Sequence, residues 1–340
     1  MTTSAIDRFR QHLSELPEID TDAAMAAATR DAVLTKPAGS LGRLEEIAVW
    51  LSGWQGQHPP SYIHPQVIVF AGNHGICDQG VSAFPQEVTH QMVANFNSGG
   101  AAINQLAKAF DASFSVHALD LDRPTEDFTR GPAMTEEDCA AALQLGWDSV
   151  ATATDILVVG EMGIGNTTVA AALAAALFGG GGSNWAGPGT GVSTEGVQRK
   201  AKVIDQGLVR HADILDDPFK ILQHLGGREI AAMAGAILSA RFKKIPVLLD
   251  GFVVCAAAAI LHKSNNAALD HCLAGHVSGE PGHAILLQHL EKEPLLMLKM
   301  RLGEGSGAAL ALGIVQGALA THNGMASFAD AGVSSGTASE

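Results

Sequence analysis

The chain has 340 residues, of which 47% are hydrophobic and 16% are charged, and its formal net charge is −14 at pH 7. A chain of this length buries a substantial core, and its acidic balance argues against nucleic acid or an anionic membrane surface as a partner. No apolar run reaches the ~20 residues of a membrane span, and the first residues lack the apolar stretch of a signal peptide. Four scattered cysteines without a CxxC pair predict neither a zinc site nor a disulfide framework. We therefore expect a cytoplasmic protein with reduced thiols and no bound metal.

Short apolar segments alternate with helical patterns along the chain. Residues 5–34 have a helical, amphipathic pattern. Strands are expected at residues 66–71, 114–119, 155–159 and 246–249, and helices at 136–148, 169–177, 228–240 and 256–262. This alternation predicts an α/β fold with a mostly parallel sheet flanked by helices. Gly-rich segments follow three of the expected strands, at the edge of such a sheet where ligands bind.

The most informative of these segments is Gly-Glu-Met-Gly-Ile-Gly-Asn-Thr-Thr, residues 160–168. It joins a strand to an Ala-rich helix, so free N–H groups and the positive end of a helix dipole point to one spot that suits a phosphate. Asn166, Thr167 and Thr168 add side-chain donors, but the lysine of a nucleotide-triphosphate loop is missing. Glu161 lies beside this spot and opposes an anion, which favours a role in chemistry. The alternative is a tight turn without a ligand.

A second Gly-rich segment, residues 187–191, precedes a helix with three cations, Arg199, Lys200 and Lys202. Lysine is a compact cation that neutralises a phosphate. A solvated basic helix face accounts for the same pattern, and the sequence does not choose between the two.

Glu304 is the strongest candidate for a general base. It is flanked by glycines in Leu-Gly-Glu-Gly-Ser-Gly, residues 302–307, at the start of a helix of small residues. Gly303 and Gly305 allow the backbone to approach a flat ligand closely, and burial raises the pKa of a carboxylate toward neutrality. The alternative is an acid that only complements the helix dipole.

Four separated motifs together resemble one family. They are Lys-Pro-Ala-Gly-Ser-Leu-Gly-Arg-Leu-Glu at 36–45, the segment at 160–168, Pro-Val-Leu-Leu-Asp-Gly-Phe at 246–252 and Met-Arg-Leu-Gly-Glu-Gly-Ser-Gly-Ala-Ala at 300–309. In this order they resemble the nicotinate-nucleotide:dimethylbenzimidazole phosphoribosyltransferases, and the resemblance covers most of the chain. It implies transfer of 5-phosphoribose from nicotinate mononucleotide to a benzimidazole, without a cofactor, giving α-ribazole 5′-phosphate and nicotinate for the nucleotide loop of cobalamin.

The resemblance also assigns residues and domains. Glu304 corresponds to the family's catalytic base. The phosphate and ribose end corresponds to Glu161, Gly163, Gly165, Asn166, Thr167, Thr168, Gly189, Gly191 and Lys200, and the nicotinate region to Ser278, Gly305, Ser306 and Gly307. It implies a large α/β catalytic domain at residues 31–289 and a small helical domain from residues 1–30 and 290–335. The family assembles as a homodimer whose partner reaches toward the active site.

The benzimidazole pocket departs from some family members. It corresponds to Phe84, Met92, Met162 and Leu302. Phe84 and Met92 stand where those members have Ser and Gln, and Met162 where they have Leu. A more apolar pocket with adaptable methionines predicts looser selection among aromatic bases.

Two other functions fit parts of the sequence. A dinucleotide-dependent oxidoreductase needs GxGxxG after its first strand, but here the expected first strand runs into Gly-Asn-His-Gly at residues 72–75. A non-catalytic sensor of nicotinate mononucleotide predicts tight binding without turnover, and a Glu304→Gln variant that behaves like the parent.

Overall fold

The computed structural model describes residues 5–334. Its strands are β1 (Pro65–Ala71), β2 (Ser113–Ala118), β3 (Ile156–Met162), β4 (Val247–Leu249), β5 (Cys272–His276) and β6 (Pro294–Leu296). Its helices are α1 (Asp7–Ser14), α2 (Thr21–Asp31), α3 (Arg43–Gln55), α4 (Glu87–Asn97), α5 (Ala102–Ala109), α6 (Glu136–Ser149), α7 (Asn166–Phe178), α8 (Gly181–Trp185), α9 (Thr194–Arg210), α10 (Pro218–Leu225), α11 (Arg228–Phe242), α12 (Phe252–Ser264), α13 (Pro281–His289), α14 (Ser306–Gly324) and α15 (Phe328–Ala331).

All six strands form one parallel sheet in the order β2-β1-β3-β4-β5-β6. This confirms the predicted α/β fold and the four predicted strands. β5 and β6 were not predicted, because Cys-Leu-Ala-Gly-His carries little apolar signal and β6 has only three residues. The strand order reverses between β1 and β3, and in such sheets the crevice outside the carboxyl ends of the two diverging strands binds ligands.

Both faces of the sheet are buried, as expected for parallel strands. Alternate side chains of β3 point to opposite faces. Leu157 and Val159 pack with α6, α7, α11 and α12 in one core cluster, and Ile156 and Val158 pack with α3, α5 and α14 in another. The predicted N-terminal helix is two helices, because Asp20 caps α2 by accepting from the Ala23 N–H.

The two ends of the described chain lie together. Arg30 of α2 donates to the carbonyls of His322 and Asn323, and Leu34 forms an antiparallel bridge with Ser327. This pairing accords with a small domain drawn from both chain ends. However, β6 belongs to the sheet and α14 packs against the sheet's buried face. The division at residues 30 and 290 stays a prediction, and residues 1–4 and 335 of it lie outside the described part.

Within residues 5–334, the helices are too short or too polar for any of them to cross a membrane.

Candidate functional site

A cavity of about 80 Å³ lies at the carboxyl edge of the sheet. Residues from five segments line it, including Glu161, Met162, Gly163, Asn166, Thr167, Gly189, Gly251, His276, Ser278, Glu280, Arg301 and Leu302. Ligand pockets usually enclose roughly 300–1,000 Å³. The cavity is therefore smaller than the usual volume of a nucleotide pocket.

The turn after β3 has the geometry of an anion site. α7 begins at Asn166, three residues before the predicted helix start, and its N-cap Gly165 has φ +91°. Asn166 donates its N–H to the carbonyl of Gly163, and Thr168 donates its N–H to that of Gly165. Asn166 and Thr167 line the cavity, whereas Thr168 is fully buried and its hydroxyl has no hydrogen-bond partner among the described residues. The remaining free N–H groups of the first helical turn suit a phosphate.

Lys200 brings a cation to this turn. Its Nζ donates to Thr167 Oγ1 at 2.9 Å and to the Gly187 carbonyl at 3.2 Å. The side chain is only 2% exposed, so the interpretation as a solvated basic face is wrong for this residue. Burial lowers the pKa of Lys200, while the nearby Glu280 carboxylate opposes that shift. A lysine held in this way, next to a helix N-terminus, favours an anionic ligand.

The loop at 187–191 approaches the same lysine closely. Gly189 has φ +54°, and a Cβ there would lie 2.9 Å from Thr167 Oγ1 and 3.0 Å from Lys200 Nζ. Arg301 donates to the Gly189 carbonyl at 3.0 Å and so fixes this loop from the opposite side of the cavity. Gly191 has φ +125° and does not line the cavity. Glycine is therefore required at Gly189 for close packing and at Gly191 for its backbone conformation.

Glu161 is a half-buried carboxyl group with a raised pKa. Enclosure by the protein raises its pKa to about 8, and the carboxylates of Asp250, Glu229 and Glu304 contribute to the rise, although a hydrogen bond from Asn166 opposes it. Asn166 Nδ2 donates to Glu161 Oε2. A protonated carboxyl group does not repel a phosphate and carries a donor of its own. The sequence predicts repulsion between a charged Glu161 and a bound phosphate. The raised pKa of Glu161 in the folded protein reduces that repulsion.

Glu304 lies in a loop whose backbone is in the left-handed region, which favours glycine. Gly303, Glu304 and Gly305 have φ of +84°, +63° and +81°, and Glu304 donates its N–H to the Glu161 carbonyl. A Cβ on Gly160 would lie 2.5 Å from the Glu304 carbonyl, so β3 carries glycine where this loop crosses it. A non-glycine residue in the left-handed region is uncommon and stores strain. The fold thus holds Glu304 in a conformation that its own side chain disfavours.

The Glu304 carboxylate itself is 5% exposed, and its Oε2 has no hydrogen-bond partner among the described residues. Burial raises its pKa above the ordinary range, and the Asp250 carboxylate raises it further, while a backbone hydrogen bond from Ile103 lowers it. A buried carboxylate with a free oxygen and a raised pKa fits a general base.

The ends of β4 and β5 complete the wall opposite the phosphate turn. Asp250 Oδ1 accepts from the Ala308 N–H at 2.9 Å and lies 3.3 Å from His276 Nε2. A Cβ on Gly307 would lie 2.2 Å from the His276 ring, so the start of α14 packs directly on that ring. Gly305 is the N-cap of α14 and Ser306 its first, buried residue. Asp250 therefore ties the loop of Glu304 to the sheet.

Ser278 lines the cavity and is oriented by a buried histidine. Its N–H donates to His283 Nδ1 at 2.9 Å, and its hydroxyl lies 3.0 Å from the same nitrogen. Burial lowers the pKa of His283 to about 3. The ring is neutral, so Nδ1 is available as an acceptor.

Not all four residues of the predicted base pocket line the cavity. Met162 and Leu302 line the cavity. Met92 packs against the same core cluster as Met162. Phe84 is 47% exposed in the loop after β1 and does not line the cavity. These four positions stay a prediction for the base pocket.

Sequence reasoning did not select His276, Glu280 and Arg301, and it left Asp250 without a definite role. His276 and Glu280 belong to β5 and the loop after it, and the sequence did not reveal that strand. Arg301 stands inside the motif that contains Glu304, which was the available signal.

A larger cavity, about 1,040 Å³, lies at the amino edge of the sheet. Its lining includes Trp54, Arg241, and the buried Lys36, whose Nζ is 2.8 Å from Asp31 and 2.9 Å from Glu45. The charge of Lys36 is therefore already neutralised by two carboxylates.

Comparison with known proteins agrees with this geometry. A family model described as phosphoribosyltransferase matches residues 16–333. A protein of Ruegeria sp. (strain TM1040) named nicotinate-nucleotide–dimethylbenzimidazole phosphoribosyltransferase is 59% identical over 333 residues, covering 98% of each chain. A protein of Rhizobium meliloti (strain 1021) with the same name is 57% identical, over 96% of this chain and 97% of its own.

The fold is shared with solved structures as well. The crystal structure of CobT from Thermus thermophilus superposes with a TM-score of 0.87 at 41% identity, covering 93% of this chain and 100% of that one. A second structure, titled as the phosphoribosyltransferase of the same organism, gives a TM-score of 0.86 at 39% identity, with the same coverage. This chain belongs to the nicotinate-nucleotide–dimethylbenzimidazole phosphoribosyltransferase family.

Proposed function

We propose that this enzyme transfers 5-phosphoribose from nicotinate mononucleotide to 5,6-dimethylbenzimidazole or a related base, in the biosynthesis of the cobalamin nucleotide loop. The observation that carries the proposal is the buried carboxylate of Glu304, whose Oε2 has no hydrogen-bond partner among the described residues. It follows directly on Leu302 and Gly303, which line a small cavity together with the turn at residues 163–167. The products are α-ribazole 5′-phosphate and nicotinate. The relatives named above support this reaction by their names.

The phosphate of nicotinate mononucleotide binds at the turn that follows β3. Gly163, Gly165 and Thr167 supply N–H donors, and Lys200 supplies the neutralising charge. Glu161, which is protonated at pH 7, contributes a hydrogen bond to the phosphoribosyl group without charge repulsion.

The reaction needs one base and no acid. The bond between C1′ and the pyridinium nitrogen breaks, its electron pair stays on that nitrogen, and nicotinate leaves with a neutral ring. A benzimidazole nitrogen forms the new bond to C1′, and the other ring nitrogen gives its proton to Glu304. Holding both substrates in line supplies much of the remaining acceleration. No cofactor takes part in these steps.

Ser278 and the start of α14 are placed to hold the nicotinate ring. Gly305, Ser306 and Gly307 follow closely on Gly303, which lines the cavity, and His283 orients the Ser278 hydroxyl. Phe84, Met92, Met162 and Leu302 surround the accepting base once the loops open, giving an apolar pocket that tolerates related bases.

We infer that the active form is a homodimer in the cytoplasm. Exposed large apolar side chains support a covering partner, because Met297, Leu298 and the cavity-lining Leu302 are 77%, 56% and 55% exposed. Light scattering of the purified protein measures the assembly, and a monomer at assay concentration contradicts it.

Product formation from nicotinate mononucleotide and 5,6-dimethylbenzimidazole, followed by chromatography, tests the reaction. We expect the parent to form α-ribazole 5′-phosphate, and Glu304→Gln to lose about a thousandfold in kcat, within the ~10²–10⁴ range of general-base catalysis. Both proteins should bind both substrates in calorimetry. Binding without turnover in the parent would favour the sensor hypothesis instead.

A further inference from the structure

A buried hydrogen-bonded pair of side chains lies next to the phosphate turn. His74 Nε2 is 2.7 Å from Glu229 Oε1, and both side chains are completely buried. His74 belongs to the loop after β1, and Glu229 to the first turn of α11. Neither residue lines the cavity, so neither touches a substrate there.

Three glycines from three segments converge on this pair. A Cβ on Gly72 would lie 2.4 Å from Glu229 Oε2, and a Cβ on Gly227 would lie 2.3 Å from the His74 ring. A Cβ on Gly163 would lie 3.1 Å from both His74 Nε2 and Glu229 Oε1. The hydrogen-bonded atoms of the pair therefore face the first residue of the phosphate turn, without a side chain between them.

Backbone hydrogen bonds fix the loop that carries His74. The Gly72 N–H donates to the Met162 carbonyl at 3.0 Å, and the His74 carbonyl accepts from Gln86 Nε2 at 2.7 Å. Burying two polar side chains carries a desolvation cost, so their contact by itself is weak evidence for stability. Its position, where two strand ends and a helix start meet, is better explained by the need to hold one backbone geometry.

We propose that His74 and Glu229 are positioning residues that hold the turn at residues 163–168 in the conformation that binds the phosphate of nicotinate mononucleotide. The proposal rests on the function proposed above. A turn held by N–H geometry loses affinity when it shifts by a fraction of an ångström, whereas the transfer step at C1′ depends on Glu304 and the base pocket. Loss of the pair should therefore raise KM for the nucleotide more than it lowers kcat.

Two substitutions of Glu229 distinguish the loss of its contact with His74 from the loss of its carboxylate group. Glu229→Asp keeps the carboxylate but withdraws it by one methylene from His74. Glu229→Gln keeps the length and an oxygen that accepts from His74, but removes the charge. We expect Glu229→Asp to raise KM for nicotinate mononucleotide about tenfold with kcat within about threefold of the parent, since small misplacements at a binding site have such effects. Glu229→Gln should recover KM to within about threefold of the parent.

His271 provides the control. It is also completely buried, its Nε2 lies 2.9 Å from the Ile237 carbonyl, and it precedes β5 at the opposite edge of the sheet. His271→Ala should lower the melting temperature and leave KM unchanged.

The proposal is overturned if Glu229→Asp keeps the parental KM, if it lowers kcat alone, or if Glu229→Gln impairs binding as much as Glu229→Asp. Calorimetric binding of nicotinate mononucleotide by the same variants gives the answer even where the parent forms no product. Failure of the positioning role is thus distinguishable from failure of the proposed reaction.

Discussion

The two edges of the sheet each carry a cavity, and the smaller one is the candidate active site. The amino-edge cavity is about 1,040 Å³ and the carboxyl-edge cavity about 80 Å³. At the amino edge the charge of Lys36 is matched by Asp31 and Glu45. At the carboxyl edge Glu304 keeps an oxygen without a partner among the described residues, and Glu161 has a strongly raised pKa. Buried acids with a raised pKa indicate a site for chemistry better than cavity volume does.

The largest expected effect is a loss of stability when a buried side chain at the amino edge is truncated. Trp54 is 2% exposed, and the Arg241 guanidinium lies 4.1 Å from the centre of its ring. We expect Trp54→Ala to lower the free energy of unfolding by ~3–5 kcal/mol, as for other large-to-small core changes. Denaturant unfolding measures this loss. KM and kcat of the folded enzyme should not change. A large rise in KM would contradict the assignment of the active site to the carboxyl edge alone.

At the carboxyl edge, Lys200→Met should affect binding. The variant keeps the volume of the buried stem but loses the cation beside Thr167. We expect KM for nicotinate mononucleotide to rise roughly tenfold to 100-fold, because a hydrogen bond to a charged group contributes ~1.5–3 kcal/mol. Lys202→Met, on the exposed side of the same helix, is the matched control and should bind like the parent. Equal effects of the two variants would refute the phosphate assignment.

The pH dependence of kcat/KM tests the role of Glu161 at the carboxyl edge. With a pKa of about 8, Glu161 is protonated at pH 7 and becomes an anion above pH 8, next to the phosphate. We expect kcat/KM for nicotinate mononucleotide to fall about fivefold between pH 8 and pH 9, as for any group with this pKa that must stay protonated. Glu161→Gln, which has no charge to gain, should lack this alkaline limb. An unchanged profile in the variant would contradict the assignment.

On the acid side, Glu304 must be ionised to accept a proton. Burial raises its pKa, so the acid limb of kcat should lie above the ordinary range of a glutamate. Since Asp250 contributes to this shift, Asp250→Asn should move the limb to lower pH. A pH–rate profile of both proteins measures the limb, and an unmoved limb in the variant would count against this coupling.

The smallest effect is expected in the base pocket. Phe84→Ser and Met92→Gln restore polar groups that some family members carry at these positions. We expect the ratio of kcat/KM between 5,6-dimethylbenzimidazole and benzimidazole to change by about threefold, below the ~tenfold that a buried methyl contributes, because Phe84 is half exposed. Competition assays with both bases measure this ratio. Unaltered discrimination in both variants would count against a base pocket at these positions.

The sequence alone determined the features that depend only on residues adjacent in the chain. The four apolar segments that became β1 to β4, the Gly-rich turn before α7 and the glycines around Glu304 are local signals, since strand periodicity and left-handed backbone are properties of short segments. These signals also carried the resemblance that the comparisons confirmed.

Only the tertiary structure decided which groups meet and what charge they carry. β5 and β6 have weak local signals and are stabilised by the strands beside them, so His276 and Glu280 could not be placed from the sequence. The contact between His74 and Glu229 joins residues 155 positions apart. The raised pKa of Glu161 and of Glu304 depends on burial among Asp250 and other carboxylates. Burial and long-range electrostatics are properties of the packed molecule, and no short segment encodes them.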